Sequence, residues 1–201
     1  MQELNIVYKQ ELRKKTLKYR RNITISDKVR YDDNIFKNII TLDEFSKYNF
    51  ICTYVSTDIE VDTQRLIKFS LKEGKKIAVP KCIKGKNEMD FYFITSFNDL
   101  EPGSFSVLEP KNTCKKVTDF KNALFIIPGL CYDKQGYRVG YGKGYYDRFL
   151  SENIITNSCK IGITYNANLL EKLYHEKHDL PVNILVTDEN IIYIGGQNGK
   201  K

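Results

Sequence analysis

The sequence predicts an α/β domain built on a largely parallel sheet with both faces covered. Short apolar runs that read as buried strands alternate along the chain with segments of helical period, the pattern of βαβ units. A strand run such as Met89 to Ile94 is apolar on both faces, as strands are when helices cover both sides of a sheet. With 201 residues and no linker or repeat, residues 1–201 are expected to form a single domain with a proper core.

The elements follow in order. Residues 3–21 read as a helix with Leu4, Tyr8 and Leu12 on one face. Lys9 and Arg13 are one turn apart and project together, at a like-charge cost of about 0.2–0.5 kcal/mol; by themselves they read as a solvated basic face. Ser26 is expected to cap a second helix over 26–41, with Val29, Ile35, Phe36, Ile39 and Ile40 on its apolar side. Residues 49–55 read as a buried strand, and 56–63 leave its C-terminal end and begin a helix. Ligands of open α/β sheets collect there. Glu60 and Asp62 are thus placed to accept hydrogen bonds from a ligand, or to cap the helix, the role favoured for Asp62.

That helix, over 62–73, stops at Gly74. Strands are expected over 76–80 and 89–94, with Met89 a natural core filler. Residues 103–110 are loop and short extended chain. A strand over 123–127 is ended by Pro128-Gly129, and a helix starts at Tyr145. Beyond it come a strand over 159–164, a helix over 168–174, strands over 183–187 and 191–194, and a frayed tail from Gly195.

Composition narrows the function. Hydrophobic residues make up 41% and charged residues 28%, ordinary for a soluble globular protein. No apolar run approaches the ~18 residues of a membrane span. The N-terminus lacks an apolar signal core, carries Glu3 and Glu11 and is poor in Ser, so no targeting peptide is expected. Five cysteines, Cys52, Cys82, Cys114, Cys131 and Cys159, are widely spaced without C-x-x-C, which argues against disulfides or zinc and for the reducing cytoplasm. His175 and His178, the only histidines, do not fit H-E-x-x-H. Residues 1–30 hold nine basic and three acidic side chains, and the rest of the chain 23 and 22. The basic excess thus lies in one N-terminal segment, which disfavours a whole surface that binds polyanions.

One stretch carries chemistry. Five of the twelve glycines fall between Gly129 and Gly144, where a strand leads through a loop into a helix N-terminus. Gly140, Gly142 and Gly144 let backbone N–H groups approach a ligand. The helix start offers free N–H donors and a positive dipole end, and Arg138 and Lys143 add full charges. The run is neither a Walker A motif nor G-x-G-x-x-G. Phosphate binding is the favoured reading over a flexible surface loop.

The run Pro128-Gly129-Leu130, Asp133, Gly136, then Arg138-Val139-Gly140-Tyr141-Gly142-Lys143-Gly144-Tyr145-Tyr146-Asp147 resembles the signature of the 5-formyltetrahydrofolate cyclo-ligases, also called 5,10-methenyltetrahydrofolate synthetases. More weakly, the resemblance covers most of the chain. Lys9-Gln10-Glu11-Leu12-Arg13 is similar to a family segment that contacts ATP phosphates. Met89-Asp90 resembles a segment near the folate, and Gly103 to Pro110 the family's Gly-x-aromatic-x-apolar-Glu-Pro run, with Phe105 where tryptophan is frequent. His178-Asp179 opens a segment like the family's C-terminal one, with Asn183 where an acid is frequent.

The resemblance implies a three-layer α/β/α sandwich of the type shared with sugar-phosphate isomerases and CoA transferases. It implies the reaction of 5-formyltetrahydrofolate with MgATP to give 5,10-methenyltetrahydrofolate, ADP and phosphate. It assigns ATP to Lys9, Arg13, Arg138, Val139, Gly140, Tyr141, Gly142, Lys143, Gly144, Tyr145 and Tyr146. The folate goes to Val55, Glu60 and the Tyr141–Gly142–Lys143–Gly144–Tyr145 run, and Mg²⁺ to Asp147 and Asp179. Tyr145, Lys143 and Arg148 are the catalytic candidates. Tyr146 reads equally as core, Asp147 as a first-turn acid favourable to the helix dipole by about 0.3–1 kcal/mol, and Arg148 as a partner for a surface acid. The expected partner is a small folate, polyglutamylated or not, with no nucleic acid or membrane, and the expected state a monomer. Three rivals remain at this point: a non-catalytic binder of nucleotide or folate, an RNA-binding protein using the basic helix and tyrosines, and a sugar-phosphate isomerase, which needs no ATP.

Overall fold

The protein is described from a computed structural model covering residues 2–104, 107–153, 157–176 and 179–195, with backbone alone over 2–5. Phe105, His178 and all but the first residue of the tail lie outside the described residues.

Helix α1 (Gln2–Asn22) is followed by α2 (Ile25–Ile40), whose start is set by Thr24 rather than Ser26. Thr24 has the extended backbone of a cap, and its hydroxyl accepts the Asp27 N–H at 3.1 Å. Ser26 already lies inside the first turn. A short helix, α3 (Asp43–Lys47), pins Phe45 into the core. Strand β1 (Phe50–Cys52) is shorter than expected, because past Thr53 the chain leaves the ladder while staying buried. In front of α4 (Gln64–Lys72), Asp62 accepts the Gln64 N–H at 2.8 Å, the capping role favoured for it.

Strands β2 (Lys76–Cys82) and β3 (Met89–Ile94) pair antiparallel, and β4 (Leu100–Pro102) and β5 (Leu108–Pro110) form a two-stranded ribbon. Then come β6 (Ala123–Pro128), β7 (Cys131–Asp133), β8 (Arg138–Val139) and α5 (Tyr145–Glu152). Strands β9 (Cys159–Ile163), β10 (Leu169–Leu170), β11 (Ile184–Val186) and β12 (Ile191–Tyr193) complete the order.

The main sheet runs β12-β11-β9-β6-β1-β2-β3, parallel from β11 to β2, with β12 and β3 as antiparallel edges. Alternate residues of each strand feed two cores. One face is aliphatic: Ile51, Ile77, Leu124, Ile126, Ile161 and Ile184 pack beneath α2, α3 and α4. The other is aromatic: Phe149 of α5 stands 4.8 Å from Phe91 and 4.9 Å from Phe120, measured between ring centroids. Burying one such side chain contributes roughly 1.5–3 kcal/mol. Met89 belongs to this second core. The result is the expected three-layer arrangement on a mostly parallel sheet.

The helix expected over 168–174 does not form. A 3₁₀ turn, Asn166–Asn168, leads straight into β10, which runs parallel to β7. Its backbone groups find partners across the chain: Lys134 N–H donates to the Leu170 carbonyl, and Leu173 N–H to the buried Asp133 carboxylate at 2.8 Å. Those bonds replace the i→i−4 ladder.

Candidate active site

Strand β1 lies between β2 and β6, so the chain's direction of winding reverses at the β1–β6 boundary. In open α/β sheets that switch point opens a crevice beyond the strands' C-terminal ends. Val55 to Asp62 emerge there from β1, and Pro128 to Leu130 from β6. Every residue grouped as site from the sequence comes from one of these two exits, from α1, or from the segment before β11.

The glycine-rich stretch is not one loop. Its first half is a hairpin, β7–β8, that joins β10 in a small three-stranded sheet. Asp133, fully buried, accepts the N–H groups of Gln135 and Tyr137 at 3.0 and 2.9 Å and ties the turn. The side chain of Val139 packs with Cys131, Leu173 and Leu12 of α1, and its carbonyl accepts the Leu130 N–H at 2.8 Å, so it belongs to the scaffold of the hairpin. The second half, Gly140 to Gly144, has no strand pairing, and Gly142 has φ +95°, which only glycine adopts without strain. Lys143 and Tyr141 are exposed.

Helix α1 is fastened along the loop. Lys9 forms an ion pair with Asp179 at 2.9 Å, and Arg13 Nε donates to the Gly140 carbonyl at 2.9 Å. Arg20, which no sequence signal singled out, is 5% exposed and donates to the carbonyls of Gly129 and Leu130 at 2.7 and 2.9 Å. Its position in a basic helical turn looks like any solvated cation, so only the packing reveals it. On the apolar face expected for α1, Leu12 is packed and Tyr8 is exposed.

Arg138 links three pieces. Its guanidinium bonds to Asp147 at 2.6 Å and to the Leu180 carbonyl at 3.0 Å, with 6% of the side chain exposed. Asp147 and Asp179 therefore stand at the same end of the sheet, each satisfied by a cation. Among the described residues no cluster of three or more His, Cys, Asp or Glu forms a metal cage. Two carboxylates with the remaining positions left to phosphate oxygens and water is the donor set that Mg²⁺ takes.

Glu60, 8% exposed, accepts from the Thr57 N–H and hydroxyl, both at 2.9 Å. Tyr141, although about half its surface is exposed, turns its hydroxyl inward toward Glu60, and loss of hydration at that hydroxyl, followed by the Glu60 charge, raises the phenol's pKa. Burial, then Glu60, does the same for Tyr146. The Tyr146 ring contacts Phe91 in the aromatic core, yet its buried hydroxyl has no partner among the described residues. It is core by its ring and site by its oxygen. Val55 is 3% exposed and packed in the aliphatic core.

Tyr145 and Arg148 face the β2–β3 hairpin. The Tyr145 hydroxyl donates to the Lys86 carbonyl at 3.4 Å, and burial and the Cys82 thiol raise its pKa. Arg148 donates to the Asn87 carbonyl at 2.7 Å and to the Lys143 carbonyl, so it clasps hairpin to loop rather than meeting a surface acid. His175 stacks flat on Tyr137 at 3.6 Å, and Asn183 accepts the Lys160 N–H at 2.9 Å, a sheet contact.

Geometry thus defines an α/β enzyme with a cation-rimmed, glycine-lined crevice at its switch point. The model of the 5-formyltetrahydrofolate cyclo-ligase family matches residues 5–188, and the chain belongs to that family, a family of ligases acting on a folate. A probable 5-formyltetrahydrofolate cyclo-ligase of Schizosaccharomyces pombe is 30% identical over 79% of this chain and 84% of its own. The mitochondrial enzyme of that name from Arabidopsis thaliana is 26% identical over 96% and 79%. The solved 5,10-methenyltetrahydrofolate synthetase of Aquifex aeolicus superposes with TM-score 0.80 at 33% identity over 96% of both chains.

Proposed function

We propose that the chain cyclises 5-formyltetrahydrofolate to 5,10-methenyltetrahydrofolate at the expense of ATP. The observation that carries this reading is that α1 sets Arg13 on the 138–147 loop and Lys9 on Asp179, with Tyr141 of the loop beside Glu60, at the sheet's switch point.

A formamide carbonyl is a weak electrophile, and oxide does not leave. Transfer of the γ-phosphoryl group to the formyl oxygen releases ADP and makes an imidate phosphate. N10 then attacks the formyl carbon, the ring closes, and the C–O bond breaks to release phosphate. Positioning and charge neutralisation do most of the work in such a step. The backbone N–H groups of 138–146 would wrap the phosphates, with Lys9, Arg13, Arg138 and Lys143 supplying charge. Asp147 and Asp179 would hold Mg²⁺, which neutralises phosphate oxygens; Arg138 and Lys9, their present partners, would then be free for the nucleotide. Glu60 would accept from the pterin amide and amine, with Val55 shaping the apolar wall beneath it. Tyr145 would hydrogen-bond the reacting formyl group, and Arg148 would hold the loop over it.

No helix among the described residues is long and apolar enough to cross a membrane. We assign the chain to the cytoplasm as a single-domain monomer; five free cysteines support a reducing compartment. The test mixes protein and 5-formyltetrahydrofolate with and without MgATP and follows near-UV absorbance. Methenyl product that grows only with MgATP supports the reading. Well-folded protein that forms none overturns it and leaves nucleotide binding alone to explain the loop.

A further inference from the structure

A second cleft is lined in part by the Ser56–Ile59 segment. It lies between the end of α1, the start of α2 and the N-terminus of α4, and encloses about 840 Å³. That is within the size range of small-molecule sites, roughly 300–1,000 Å³. None of its lining residues is among those assigned to nucleotide or folate above.

Its charges are unequally satisfied. The cleft holds five cationic side chains against three carboxylates. Two of the carboxylates already accept hydrogen bonds from the protein. Asp32 accepts from Lys28 at 2.6 Å, from the Tyr165 hydroxyl at 3.0 Å and from the Asp62 N–H at 3.1 Å. Asp62 accepts from the Gln64 N–H at 2.8 Å and the Ser56 hydroxyl at 3.4 Å. The third, Asp58, is exposed at the rim.

Some of the cations lack a carboxylate partner. Arg20 is buried; its guanidinium holds the Gly129 and Leu130 carbonyls, but its Nε has no acceptor among the described residues, although a buried unpaired donor costs about 1–3 kcal/mol. Arg21 and Lys68 form no ion pair among the described residues, and the Lys68 ammonium stands 5.2 Å from the centre of the Phe97 ring. Aliphatic side chains also line the cleft: Ile23 and Ile59 are half-buried, and Val29 is 64% exposed. Cationic side chains without a carboxylate partner, in a cleft that aliphatic side chains also line, suit a ligand with an anionic head and an apolar body.

We propose that this cleft is a second ligand site, for a small organic anion that sets a carboxylate or phosphate against Arg20, Arg21 and Lys68 and an apolar body against Ile23, Val29 and Ile59. The proposal does not depend on the cyclo-ligase reaction.

The test is an amide NMR titration of the full chain with phenyl phosphate and with benzoate, which share an apolar body and differ in the acid. Phenol, the same body without the anion, is the control. The expected result is saturable shifts at the amides of Ile23, Thr57 and Gln64 with one or both acids and none with phenol; which acid binds more tightly identifies the head group. In the double variant Arg21→Glu/Lys68→Glu the affinity falls at least tenfold. Both side chains are exposed, and a dispersed amide spectrum verifies that the variant is folded. Shifts confined to residues 138–147, no saturable shift at the cleft, or equal affinity after the charge reversal each overturns the proposal.

Discussion

The two halves of the glycine-rich stretch make opposite use of the same residue type. From Cys131 to Val139 the chain is scaffold: it forms a hairpin, pairs with β10, and is tied by the buried Asp133 carboxylate. From Gly140 to Gly144 it has no strand partner, and the side chains of Arg13 in α1 and Arg148 in α5 hold its Gly140 and Lys143 carbonyls. Gly136 in the first half and Gly142 in the second both have positive φ, +86° and +95°. The lesson is that glycine content does not distinguish a turn that must fold from a backbone that must be reached by a ligand. What the neighbouring polar groups bond to does distinguish them.

The largest effect is expected at the junction of the halves, where Asp147 holds Arg138. Asp147→Asn should lower kcat/KM at least about 100-fold, a loss of about 2.7 kcal/mol in transition-state stabilisation. The melting temperature should drop only a few degrees, since Asn still accepts from Arg138. Unchanged kinetics would remove Asp147 from the reaction.

Next comes a paired glycine test. Alanine in the left-handed region costs roughly 1–2 kcal/mol. Gly136→Ala also brings its Cβ to 3.1 Å from the Val182 carbonyl, so it should lower the melting temperature by several degrees and leave turnover per folded molecule intact. Gly142→Ala brings its Cβ to 3.2 Å from the Arg13 guanidinium carbon and should raise the KM for ATP about tenfold with a smaller thermal shift. Equal thermal shifts and equal kinetics in the two variants would erase the distinction.

Lys9→Ala should raise the KM for ATP severalfold and that for the folate less; the reverse order would move Lys9 to the folate side. The smallest effect is a pH dependence of the scaffold half. Burial pushes the Cys131 thiol up from its ordinary 9.0 to about 11. A raised acid favours the neutral folded form, so this contribution is complete below pH 9 and is lost as pH rises toward 11. Urea midpoints at pH 8, 9 and 10 should fall, and fall less steeply in Cys131→Ala.

Much of this was legible in the chain. The parallel sheet followed from buried apolar runs such as 123–127, because burial on both faces leaves no polar alternation to misread. The site's loop was visible as glycine and charge between a strand and a helix. Short elements were not: β7, β8 and β10 are two or three residues long and owe their existence to partners far along the chain, so no local period announces them. The 168–174 segment shows the same competition, since cross-chain bonds from Lys134 and Leu173 displaced a helix its periodicity allowed.

The sequence by itself determined the alternation of elements, the family to which the chain belongs and the identity of the loop's cations and acids, because these depend on residue type and near-neighbour spacing. Tertiary structure alone decided which charges are spoken for. Arg20 and Arg21 are adjacent and chemically alike, yet one is buried against the Gly129 and Leu130 carbonyls and the other stands at the rim of an open cleft. The reason is geometric: a helix points successive residues about 100° apart, and only the packed chain settles which of those directions meets protein and which meets water.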